Sequence, residues 1–418
     1  MVASLLVLLL IQGAAPPIPL DLDDLVQQVE QNNRELQMAR RMWEAAQSRP
    51  SQESSPPNPV VSIGTVSPGL LPIPGRGIGM DPQSYISPMV MQDVPFPGKL
   101  KLKGEIAQKE ADSAGRMYET TRLNIIAELK MAYFELYKAE KSIATVETNR
   151  ELLLQLAEIA RARYEVGSGL QQDVIKAQLE ATMLEERLTM FNQKRESMKA
   201  KINQLIHRPP DAPLGNVGDL EPSVLRYTLQ QLYSTAEEAS PVLASRRVMV
   251  DRNARKLDLA RKQYLPDFNV RVGYMYMGRL DNLWDVSVGA QIPLYFWKKE
   301  RKGVEEAASE LRGATNDYEA TAQESYREVK DGYLAVTTAD RLMRLYKEAV
   351  IPQASLVLES SLSGYRVGNL DFLSIINNWS VLLNFHLEYY SQLAMRETAL
   401  AELERLTGLR LVRTGGTP

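Results

Sequence analysis

The sequence predicts an internally duplicated α+β chain, built of strand pairs and very long helices, on three observations. The phrase Tyr-x-Val-Gly occurs at Tyr164–Gly167 and again at Tyr365–Gly368, 201 positions later. "ELKMAYFELYKAE" (residues 128–140) matches "EVKDGYLAVTTAD" (residues 328–340) at an offset of 200, and the runs around Pro95 and Pro293 match at 198. So long a period excludes a solenoid, and each half is expected to be one large unit. No proline lies between Gly98 and Arg208 or between Leu294 and Ile351, which allows long helices. Residues 267–296 alternate apolar and polar side chains, the period of strands.

Taken in order, "ASLLVLLLIQGAA" (residues 3–15) is a short apolar run followed by small residues, so residues 1–15 are expected to be a secretory signal peptide. The run is shorter than the roughly 18 to 20 apolar residues of a spanning helix. Residues 21–47 carry Leu25, Val29, Leu36 and Trp43 at helical spacing, with early acids suited to a helix N-terminus. Their counterpart is Tyr227–Gln263, in which Ser240 and Pro241 supply an N-cap and a first helical residue. Pro50, Pro56, Pro57 and Pro59 are expected to break the first helix, and Pro266 the second.

Strands are then expected at about 58–67 and 83–96, with Pro68, Pro72 and Pro74 in the intervening loop, and at about 267–278 and 283–296. In the second pair, Phe268, Val270, Val272, Tyr274 and Tyr276 share a face, as do Trp284, Val286, Val288, Ala290 and Ile292. Such strands suit a transmembrane β-barrel, although a half-exposed hairpin of a soluble sheet shows the same alternation. Two helical hairpins follow, at about 99–207 with a tip near 167 and at about 298–407 with a tip near 368. The rising helices, Lys101–Glu165 and Lys298–Tyr365, would each extend about 100 Å at 1.5 Å per residue. Interleaved charges such as Glu128, Lys130, Glu135 and Lys138 mark their solvated faces. Gly167, Gly169 and Gly368 allow the chain to reverse, so the repeated phrase is expected to be the tip of each hairpin. The two halves run from about 16 to 215 and from 216 to 418.

Composition narrows the function. Among 418 residues, 49 basic against 52 acidic side chains give a net charge of −3, which offers no surface for nucleic acid. There is no cysteine, hence no disulfide, thiolate metal site or cysteine nucleophile. The two histidines, His207 before Pro209-Pro210 and His386 in an apolar helix, are too far apart in the chain to suggest a metal site or triad. "GRGIG" (residues 75–79) lacks the strand and helix that flank a phosphate loop. Met89, Met91, Met275 and Met277 alternate on the expected strands and are read as packing in preference to soft-metal ligands. Trp379, Tyr389 and Tyr390 are likewise read as helix packing. No cofactor or enzymatic site is expected. Beyond residues 3–15 no stretch could cross a bilayer as a helix, so a membrane location would require strands.

Both Tyr-x-Val-Gly tips, "DVIKAQLE" after the first, "NNRELQMAR", "LPDFNVRVGY" and "VPFPGKLKLKGEIAQKEADSA" occur in an order that resembles the TolC-like outer-membrane factors of bacterial efflux pumps, over nearly the whole mature chain. The Pro-Phe-Pro-Gly-Lys run looks most like their heavy-metal-efflux subgroup. The resemblance implies a homotrimer whose chains each give four strands to one twelve-stranded barrel in outer-membrane lipid, continued by a helical periplasmic tunnel. It implies a passive conduit for drugs, metal ions or other small solutes. Its partners would be a periplasmic adaptor (a membrane fusion protein) and an inner-membrane transporter of the resistance-nodulation-division type. The positions matching adaptor contacts are Val166, Gly167, Ser168, Val367, Gly368 and Asn369. The resemblance further implies a closing hydrogen bond between Tyr365 and Asp173. The family's paired constriction aspartates are matched here by neutral Ser374 and Asn377, with Asp371 as a possible substitute acid. A periplasmic coiled-coil adaptor or scaffold is the competing reading. Such a protein usually needs one hairpin and no membrane-facing apolar stripe, whereas this chain has two equivalent hairpins and two strand pairs.

Overall fold

The structure, a computed structural model, describes residues 20–68 and 74–412. The expected signal segment and Pro72 lie outside these residues. The described elements are α1 (Leu22–Asn32), α2 (Arg34–Gln47), α3 (Arg49–Ser54), β1 (Val60–Val66), β2 (Tyr85–Val94), α4 (Lys99–Glu165) and α5 (Gln171–Leu205). There follow α6 (Leu229–Ala239), α7 (Pro241–Lys262), β3 (Asp267–Met275), β4 (Leu283–Gln291), α8 (Glu300–Leu345), a π turn (Tyr346–Val350), α9 (Ile351–Arg366) and α10 (Phe372–Thr407). They form two compact units, each drawing on both repeats: residues 20–37, 120–240 and 325–412 in one, residues 38–119 and 241–324 in the other.

The opening helix of the sequence reading is in fact broken at Asn33, whose backbone is extended. The Asn33 side chain accepts the Leu36 N–H at 3.0 Å and donates to the Leu205 carbonyl at 2.8 Å, so it caps α2 while holding the end of α5. Pro50 does not end the helical segment. It occupies the first turn of α3, where a missing N–H is harmless, and β1 starts only after Pro59.

In the unit built from residues 38–119 and 241–324, the strands form one antiparallel sheet in the order β1-β2-β3-β4. Register pairs Val270 with Val288, Val272 with Val286 and Tyr274 with Trp284 on one face, and Val90 with both Val61 and Val272. Ser62, Ser87, Met89, Met91, Asn269, Arg271, Asp285 and Ser287 alternate onto the opposite face. The apolar face is bare: Ile63, Trp284 and Val288 are 76%, 71% and 72% exposed. Met275 lies on β3, but Met277 falls beyond the strand, in the turn where its N–H is held by the Asn282 side chain at 3.0 Å.

In the other unit, buried residues of α4 (Ile143, Val146, Leu153, Leu156, Ala160), α5 (Ala177, Leu184, Leu188) and α10 (Phe372, Ile375, Ile376, Trp379, Leu383) share a core with Leu358 and Tyr365 of α9. Their three-, four- and seven-residue steps form the seams of coiled-coil packing. The second rising helix carries its π turn just ahead of Pro352, whose missing N–H and ring preclude a regular α-helical bond there.

Candidate functional site

The two tips share a local device that explains the repeated phrase. In the first, the Gly167 N–H donates to the Tyr164 carbonyl and the Ser168 N–H to the Arg163 carbonyl, both at 2.9 Å. In the second, Gly368 donates to Tyr365 at 3.0 Å and Asn369 to Gly364 at 2.9 Å. This pair of bonds is a Schellman helix end, which needs a left-handed residue after the cap. Gly167 and Gly368 supply it at φ +74° and +79°. Gly169 is not left-handed. It is small because a Cβ there would stand 3.0 Å from that of Arg163.

Val166, Gly167 and Ser168, and likewise Val367, Gly368 and Asn369, are all exposed, with both valines more than 70% accessible. The returning helices begin differently. Asp371 caps α10 by accepting the Ser374 N–H at 3.3 Å and the Ser374 hydroxyl. At the corresponding place α5 has Leu170, which cannot cap, and its acid stands one turn later as Asp173. Asn377 is exposed on α10.

The hydrogen bond expected between Tyr365 and Asp173 is not formed within this chain. The Tyr365 ring is 5% exposed, packed 5.7 Å from Phe372, and its hydroxyl is buried without a partner. Arg163, which sequence reasoning passed over, holds this tyrosine instead. Its guanidinium lies 4.5 Å from the ring centroid, and Nη1 donates to the Tyr365 carbonyl at 2.5 Å. The sequence signal was an arginine at 163 facing a glycine, Gly364, at the matched position of the second repeat. The carboxyl of Asp173 is pushed up, first by burial and then by the charge of Asp371, with Arg163 acting in the opposite direction. Burial also raises the Tyr365 phenol, with the neighbouring Arg163 guanidinium acting in the opposite direction. Beside these groups a cleft of about 350 Å³ is lined by Gln172, Asp173, Ile175, Lys176, Leu179, Phe372 and Leu373.

The histidines take separate parts. His207 ends α5 at φ +59°, and its Nε2 accepts Arg34 Nε at 3.1 Å. His386 lies half-buried in α10, with its pKa lowered by desolvation. Among the described residues no group of three or more His, Asp and Glu side chains is placed to hold a metal ion, and no helix is long and apolar enough to cross a membrane.

The family model for the outer membrane efflux protein matches residues 25–206 and 232–409. Outer membrane protein TolC of Vibrio cholerae is 22% identical over 285 residues, 65% of each chain, so just under two thirds of that relative's length is aligned. Cobalt-zinc-cadmium resistance protein CzcC of Cupriavidus metallidurans is 19% identical over 311 residues, 74% of each chain. Among solved structures, the outer membrane protein VceC of Vibrio cholerae superposes with a TM-score of 0.79 at 18% identity, covering 93% of this chain and 96% of that one. The match takes in both repeats, both hairpins and all four strands, which sets aside the adaptor reading. The chain therefore belongs to the outer membrane efflux protein family.

Proposed function

We propose that three copies of this chain assemble into one passive conduit, closing a twelve-stranded barrel in the outer membrane and a helical tunnel. The observation that carries this reading is the four-stranded sheet with a bare apolar face and two open edges, β1 and β4. An open edge in lipid leaves backbone groups without partners, so β4 of one copy pairs with β1 of the next until the ring closes. Trp284, Val286 and Val288 then face lipid, and Asn269, Arg271 and Ser287 face the water-filled lumen. Tyr295, Phe296 and Trp297, stacked edge-on beyond β4, form an aromatic anchor at the membrane surface. In the helical unit, Ile175, Leu179, Met183 and Met190 make an exposed stripe along α5 that a neighbouring copy covers.

The channel moves small solutes, drugs and metal ions among them, with energy supplied by an inner-membrane transporter of the resistance-nodulation-division type. A periplasmic adaptor docks on the exposed Val166-Gly167-Ser168 and Val367-Gly368-Asn369 tips. The gate lies beside them, at Tyr365, Asp173, Asp371, Ser374 and Asn377. With Ser374 and Asn377 neutral, Asp371 is the acid at the mouth, and cation concentration there is weaker than two carboxylates per chain would give. Light scattering on the detergent-solubilised protein, with the detergent mass subtracted, tests the assembly. A mass of three chains supports it, and a monomer or dimer that stays soluble without detergent overturns it.

A further inference from the structure

The geometry points to Arg163 as a one-way latch that fastens the two helical tips of a chain and holds its gate closed, a role that rests on the conduit reading above. Arg163 belongs to the first tip, whose closing bond from the Ser168 N–H ends on its own carbonyl at 2.9 Å. Its side chain crosses to the second tip, lies over the Tyr365 ring 4.5 Å from the centroid, and donates from Nη1 to the Tyr365 carbonyl at 2.5 Å. That same carbonyl accepts the Gly368 N–H at 3.0 Å, so the guanidinium grips the bond that ends α9.

Two further physical effects favour the contact. A cation at a helix C-terminus offsets the partial negative charge of the last carbonyls. The flat guanidinium can stack on the ring and hydrogen-bond in its own plane at once, which a lysine ammonium cannot. The duplication is broken at this point, because the second repeat has Gly364 where the first has Arg163. Glycine has no side chain to reach back from that position. Tyr365 contributes its ring face and main-chain carbonyl, not its hydroxyl, which is buried and unpartnered.

Hydrogen–deuterium exchange of the detergent-solubilised protein and conductance in planar bilayers, on three variants, test the latch. Arg163→Ala is expected to speed exchange in residues 364–371 roughly tenfold and to raise conductance several-fold. Arg163→Lys, which keeps the charge and loses the stack, falls between. Arg161→Ala removes a neighbouring arginine that pairs with Glu165 of its own helix, and is expected to behave as the parent protein. Unchanged exchange at the second tip in Arg163→Ala overturns the latch, as does an equal rise in exchange there in Arg161→Ala. Exchange is read even if no variant conducts, so failure of the conduit reading is told apart from failure of the latch.

Discussion

Lys99 and Asp267, 168 positions apart, meet through a 2.8 Å ion pair at the junction where strand gives way to long helix. Lys99 Nζ also donates to the Leu265 carbonyl at 2.9 Å, and the Asp267 carboxylate accepts the Phe96 N–H at 2.7 Å. The Pro-Phe-Pro-Gly-Lys run and the Leu-Pro-Asp-Phe run, one from each repeat, thus close on each other. The lysine is 4% exposed and the aspartate 37%, so loss of the lysine leaves an acid with the Phe96 N–H and the charge of Lys103 for compensation. Lys99→Met is expected to destabilise the protein by about 2 kcal/mol, less than a fully buried pair would lose, because water still reaches the aspartate. Thermal unfolding in detergent measures it, and Asp267→Asn, which keeps an acceptor for both donors, should lose less.

The two faces of the sheet predict opposite tolerance to charge. Val288→Lys places an ammonium on the apolar face and should impair folding into lipid by about 2–4 kcal/mol if it sits near the bilayer midplane. Ser287→Lys, one residue earlier on the polar face, should be accepted. Heat-modifiable migration of folded protein from outer-membrane fractions distinguishes them, and equal behaviour would mean that the sheet is not a lipid wall.

The left-handed glycines predict a strain penalty without a clash. A Cβ on Gly167 meets nothing within 4 Å, so Gly167→Ala isolates the backbone term, about 1–2 kcal/mol. Gly167→Asn should lose less, since asparagine tolerates this region. Local stability from hydrogen exchange of residues 163–170 reads the difference, and an alanine variant as stable as the parent would show that the turn has rearranged.

Asp173 predicts acid-favoured closure. Its folded pKa lies above the ordinary 3.8, owing to burial and then to Asp371. The closed tip therefore gains its full contribution below that ordinary value and loses it as pH rises through the raised one. Bilayer conductance should be lower at about pH 4 than at about pH 7. Asp173→Asn should flatten the profile at the lower level, and a profile unchanged by that substitution would assign the titration elsewhere.

The sequence by itself determined the duplication, the four strands, the helical hairpins and the tip turns. Each of these is local: proline excludes helix interiors, period two marks strands, and a glycine after Tyr-x-Val ends a helix wherever the phrase occurs. It also placed the tip residues Val166–Ser168 and Val367–Asn369 at the chain reversals, because a turn is set by its own few residues. The break at Asn33 escaped notice because the apolar spacing continues across it, and the extended asparagine is favoured both by its cap on the Leu36 N–H and by the approach of Leu205 from the end of α5.

Tertiary structure alone decided which distant residues meet. The strand order joins β2 of one repeat to β3 of the other, and that pairing aligns the apolar stripes of four separate runs into one face. Tyr365 and Asp173 were paired by resemblance, whereas the fold turns the tyrosine hydroxyl into the core and brings Arg163 over its ring. Arg163 and Tyr365 lie 202 positions apart, and an arginine on a solvated helix face carries no mark of the ring it will cover. Periodicity records which side of an element is buried, and only packing says against what.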